Sequence, residues 1–181
     1  MNPTTTSTGS GGGCNDVPTA GEVDGEFFFA LSAFLNPQKP VVFDSTLTTT
    51  QGANGLEYSL DLQPLAASDR TTPVGSVIHV GPLPVDADGT FDSALPELTV
   101  PGAANPITVG SDIVATITLH GELCGTADFI CGPVTGNTTK PLPLNLASNP
   151  GSNFTMERVT TPGTYPEPPQ INCAGALANP L

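Results

Sequence analysis

Residues 111–132, SDIVATITLHGELCGTADFICG, carry the cleanest alternation in the chain. Ile113, Ala115, Ile117, Leu119, Gly121 and Leu123 fall on one face, and Val114, Thr116, Thr118, His120 and Glu122 on the other. Successive side chains of an extended chain point to opposite sides, so a period of two with one apolar face requires a strand lying over a core. A helix would scatter the same residues around its circumference. The alternation runs into a short corner bounded by Cys124 and Cys131. The stretch therefore predicts a strand, a stapled turn and a return strand.

The same pattern recurs along the chain. Residues 23–35 (VDGEFFFALSAFL) are apolar on both faces, Phe27, Phe29 and Leu31 alternating with Phe28, Ala30 and Phe34. That predicts a central strand buried on both sides, with a helix as the alternative because FFFALSAFL lacks breakers. Residues 41–50 and 56–65 alternate about Asn54-Gly55 and predict a hairpin with one wet face. Residues 74–85 predict a strand that Pro82 and Pro84 place at a sheet edge. Asp86-Ala87-Asp88-Gly89 is a turn, with Asp88-Gly89 suited to type I′. Further strands are predicted over 90–95, 98–100, 129–139, 142–146 and 152–160, and the Pro-rich 162–181 is read as extended. Gly 20 and Pro 20 supply the turns and break helices. About nine short strands with turns between them predict an all-β chain, a single antiparallel β-sandwich, Ig-like or jelly-roll-like. The sandwich is assigned to residues 14–173, after a Thr/Ser/Gly tether over 1–13 and before a tail over 174–181.

Charge narrows the partners. Lys+Arg 4 against Asp+Glu 17 gives a formal net charge of −13. Four cations cannot make the basic face that nucleic acid needs, and an anionic membrane surface is disfavoured on the same ground. No apolar run approaches the roughly 18–20 residues that span a bilayer, so no transmembrane segment is expected. Neither a charged n-region nor an apolar h-region opens the chain. Four cysteines in so acidic a chain point to an extracytoplasmic setting: bacterial periplasm, outer surface or secreted. The expectation is a removed export signal, with a lipid anchor upstream of the tether.

The four cysteines allow three pairings. Local closure favours Cys124–Cys131, with Cys14–Cys173 joining the two ends of the folded region. Both are read as structural, because the spacing of CGTADFIC and two separated histidines do not make a metal site. Asp86, Asp88 and Asp92 are a candidate calcium loop, although Pro84 and Leu95 stand where an EF-hand needs ligands. No other cofactor is expected. His120 and Glu122 share a strand face and are a candidate base with its carboxylate. No GxSxG elbow, HExxH or Gly-rich phosphate loop accompanies them.

The tether, GCNDVPTAGEVDGEFFFALS, the PVDADGTF hairpin and SDIVATITLHGELCGTADFICG resemble uncharacterised bacterial exported lipoproteins of all-β type, over residues 14–173. The resemblance implies export and an all-β fold, and transfers no activity or catalytic residue. The expected function is a non-catalytic extracytoplasmic cell-envelope or surface protein with a structural or protein-interaction role. Its partner would be another protein or a second copy, the Pro-rich tail serving as a donated strand. The alternatives are a calcium-dependent adhesion or ligand-binding module and a secreted hydrolase using His120 with Glu122 or Asp residues.

Overall fold

The computed structural model describes residues 14, 16–125 and 127–181, so the expected tether over 1–13 lies outside the described residues. The strands are β1 Gly25–Ser32, β2 Val41–Gly52, β3 Gly55–Pro64, β4 Ile78–Pro84, β5 Thr90–Ala94, β6 Leu98–Val100, β7 Ile113–Glu122, β8 Phe129–Lys140, β9 Leu144–Asn145 and β10 Ser152–Arg158. All pair antiparallel in one sheet of order β4-β3-β2-β1-β10-β8-β7-β5, with β6 on β7 and β9 on β8. The sheet curls until it is nearly closed, like a barrel. It does not divide into the two sheets of the expected sandwich. The reason is the pairing of β1 with both β2 and β10, Phe27 opposite Arg158 and Phe29 opposite Met156. That ladder joins the N-terminal meander to the C-terminal strands without a break.

The two end strands, β4 and β5, are joined by a turn rather than a ladder. Asp86 N–H donates to the Thr90 carbonyl (2.8 Å) and Gly89 N–H to the Asp86 carbonyl (2.9 Å). Gly89 has a φ of 83° and Asp88 is not left-handed. The turn is therefore type I followed by a left-handed glycine, not type I′, which needs positive φ at two successive residues. A Cβ on Gly89 would overlap the Cys14 sulfur and lie 2.7 Å from the Leu123 carbonyl. At the other flank of the sheet's N-terminal half, β4 is the terminal strand, as its prolines predict.

The alternation of β7 becomes the core: Ala115, Ile117, Leu119 and Leu123 are buried with Phe27, Phe29, Phe43, Phe91 and Phe154 inside the barrel. The outer face of β1 is buried as well. Phe28 and Ala30 pack with Val42, Leu65 and Val159 beneath Tyr165, whose ring stacks on Phe28 at 5.0 Å. The C-terminal segment is thus a strap over the outside of the sheet. Thr155 Oγ1 donates to the Gln170 carbonyl (2.7 Å), and Gln170 N–H donates to Glu157 (2.9 Å). Buried Arg70 pairs with Glu167 and donates to the Asn179 carbonyl (3.0 Å). The last residues turn back on the strap, Ala178 N–H donating to the Pro169 carbonyl (2.9 Å).

The disulfides are Cys14–Cys124 and Cys131–Cys173, each with a Cα–Cα separation of 5.5 Å. The expected pairs, Cys124–Cys131 and Cys14–Cys173, do not form. Cys131 lies within β8 opposite Thr155, where the strap crosses. Cys124 lies in the loop beyond β7, where Cys14 N–H donates to the Asp88 carbonyl. Side-chain direction decided the pairing, and short separation in sequence did not. On the chain-entropy relation the two loops contribute about 5 and about 4 kcal/mol respectively.

Two outcomes follow from the strap. Replacing Cys131 and Cys173 together by Ser should lower stability by about 2–4 kcal/mol in denaturant titration. Limited proteolysis of that variant should cut first within residues 160–170. Burial raises both tyrosines, Tyr58 strongly; Tyr165, also facing the Asp44 and Glu26 carboxylates, reaches about 12 from an ordinary 10. A raised folded value means the neutral phenol's contribution is complete below pH 10 and is lost as pH rises through about 12. Ultraviolet titration should show no tyrosinate near pH 10 in the native chain, and both groups ionising there after unfolding.

Candidate functional site

The polar face of β7 looks outward, and its central group is His120. Asp92 of β5 stands directly opposite it in the ladder. His120 Nδ1 lies 2.5 Å from Asp92 Oδ1, and His120 Nε2 lies 2.8 Å from the Thr135 hydroxyl of β8. An Asp–His–Thr line therefore crosses three adjacent strands. Glu122, two residues on, is the partner that the strand alternation suggests for His120. Cross-strand partners lie closer than same-strand neighbours two apart, so Asp92 holds the imidazole. No local signal could reveal this, because β5 and β7 are separated by β6 and a long loop. His79 repeats the arrangement on β4, its Nδ1 2.7 Å from Asp61 of β3.

The line has the roles of a relay: a carboxylate orienting an imidazole that can accept a hydroxyl proton. Its setting is unlike that of a relay. The trio lies on the convex side of the sheet, and the Asp92 side chain is 79% exposed. Water there screens the charges that a catalytic site must concentrate.

The candidate calcium carboxylates do not converge. Asp88 accepts from the Thr90 hydroxyl (2.6 Å) and N–H (3.1 Å), bonds that hold its carboxyl below the usual range. Asp92 is turned to His120. Among the described residues, no three His, Cys, Asp or Glu stand together as a metal site.

Concavity lies elsewhere. Where β7 begins, the barrel opens into a half-open cavity of about 90 Å³. Leu31, Phe43, Val100, Ile117 and Leu144 wall it, and Ala33 and Ala115 leave room between them. Leu35 and Leu142, each 50% exposed, stand on the rim with Lys140. The three-residue β6 and two-residue β9 complete the wall on either side of the β7–β8 hairpin. Cys14 joins the domain at the other end of β7, beside Leu123. Cys14 therefore lies at the end opposite the mouth.

A second, open and polar depression lies on the outside between β10, β8 and the strap. Its charged groups have partners close by. Glu157 accepts from Gln170 N–H and Nε2, and Arg158 donates to Asp128 and to the Val23 and Asp24 carbonyls.

The sites should respond differently to truncation. His120→Ala should cost no more than about 1 kcal/mol, because its carboxylate partner is solvent-exposed. Phe43→Ala, at the cavity wall, should cost about 3–5 kcal/mol. Denaturant midpoints of the two variants check both. In comparisons with known proteins, no family model, curated protein or solved structure matches this chain.

Proposed function

We propose that this chain is a non-catalytic extracytoplasmic binding domain, displayed at the cell envelope or surface, that engages its partner through the apolar mouth of its barrel. One observation carries the reading: the imidazoles and the apolar cavity are on different parts of the molecule. The imidazoles sit on the convex face, whereas the mouth is walled by hydrocarbon. Catalysis needs both in one place, and binding needs only the second. Supporting it, Leu35 and Leu142 are large apolar side chains half-exposed together at the mouth. Such a cluster marks an interaction surface more often than isolated exposed residues do. Cys14 lies at the opposite end, so a domain held from that end would present its mouth outward. Two disulfides are compatible with an oxidising compartment, and among the described residues no helix is long and apolar enough to cross a membrane.

The secreted-hydrolase reading is kept as the second, because the Asp92–His120–Thr135 geometry specifically favours it. One set of measurements separates the readings. Methyl-resolved NMR with a small neutral alcohol such as hexanol should perturb Leu31, Ile117 and Leu144 and leave the His120 ring unmoved. Turnover of a p-nitrophenyl ester that disappears in His120→Ala would replace binding by hydrolysis. A calcium-dependent rise of several degrees in the unfolding temperature would favour the adhesion module, since a ligand of the native state must stabilise it. The expected result is no turnover and no calcium effect.

A further inference from the structure

We propose that the mouth takes a small amphiphilic carboxylate, with its apolar tail in the cavity and its carboxylate on the Lys140 ammonium; this rests on reading the domain as a binding module. The polar groups lining the mouth point to the head group. Asn105 donates to the Thr108 hydroxyl (2.7 Å) and the Ser111 carbonyl (2.8 Å), and accepts from the Ile107 and Thr108 N–H groups. Thr138 donates to the Leu142 carbonyl (2.5 Å) and accepts from Leu144 N–H (3.1 Å). These side chains serve the loops that carry them. The side-chain ammonium of Lys140, the exposed last residue of β8, makes no hydrogen bond or ion pair among the described residues, while its backbone lies opposite Val114 in the ladder.

Cations are scarce in this chain, which gives the position of each one weight. Of Lys+Arg 4, Arg70 and Arg158 are held in ion pairs with Glu167 and Asp128. The other two are Lys39, in the β1–β2 loop, and Lys140, which lines the mouth. An exposed ammonium by itself holds a hydrated anion weakly. Beside a dry wall it favours an anion carried by an apolar group, because burial of the tail supplies most of the affinity. A lysine is a point charge and suits a single carboxylate without demanding a bidentate fit.

Size sets the tail. The cavity of about 90 Å³ is smaller than the roughly 150 Å³ that admits a benzene ring. It fits the end of an unbranched chain rather than a ring system. The remainder of a longer tail would lie along Leu35 and Leu142.

Calorimetric titration with the straight-chain carboxylates from butanoate to decanoate, and with octanol as the uncharged probe, tests this. Affinity should rise about fourfold per added methylene and then level off as the cavity fills. Lys140→Gln should weaken octanoate by about three- to fivefold and leave octanol unchanged, as should raising the salt with the parent chain. Ala33→Leu, which fills the mouth, should abolish both while its thermal unfolding stays cooperative. Equal binding of octanoate and octanol, with Lys140→Gln silent, would overturn the carboxylate assignment and leave the apolar binding site standing. Binding of neither probe would overturn the assignment together with the binding-module reading. Binding that survives Ala33→Leu would place the ligand elsewhere and overturn the site.

Discussion

The pairing of the first strand with the last is the constraint on which the rest of the molecule depends. β1 runs antiparallel to β10 from Phe27–Arg158 to Ser32–Asn153. On one side of that ladder lies the meander β2–β3–β4, and on the other β8, β7 and β5. Without it there would be two small open sheets, each with an apolar face in water. With it the inner faces close over one core, in which Phe29 meets both Phe43 and Phe154. The entropy of joining segments so far apart must be met before the core rewards it, which is the circumstance that slows the folding of non-local β topologies.

The fastenings lie around this ladder. At one end Arg158 spreads its guanidinium over the Phe27 ring at 4.6 Å and donates to Asp128 and to the Val23 and Asp24 carbonyls. One side chain thereby ties the start of β1 to the end of β10. Outside the ladder the strap covers Phe28 and Ala30, which would otherwise face water from the middle of the sheet. Cys131–Cys173 fixes the strap to β8, and Cys14–Cys124 fixes the N-terminal entry to the far end of β7. The strap and the N-terminal entry are therefore covalently held to the C-terminal half of the sheet.

The two ends of the barrel are chemically unlike. One carries the Asp86–Gly89 turn, Cys14 and the Arg158 cluster, and its polar groups are matched to one another. The other is an apolar mouth, with half-exposed leucines and Lys140 on its rim. The histidines, the most obvious chemistry in the chain, lie on the convex face between these ends, each opposite an aspartate across a ladder. That arrangement suits solvated cross-strand pairing, which antiparallel sheets use widely on their wet faces.

Much of the architecture was legible in the chain itself. The alternation of residues 113–123, the two-faced apolar run of 27–31, the alternation on either side of the β2–β3 turn and the prolines of β4 each specify a local choice that the fold adopts. Such choices depend on neighbours within a few residues, and so the pattern determines them. The single rolled sheet, the disulfide partners, the Asp92–His120 pair and the mouth cavity depend instead on residues tens of positions apart. Nothing in Cys131 announces Cys173, and nothing in Ala115 announces that Leu31 and Leu144 will leave a space beside it. The order of residues along the chain dictates which faces must be buried. What buries them is set by the pairing of distant strands, because that pairing fixes where their side chains point.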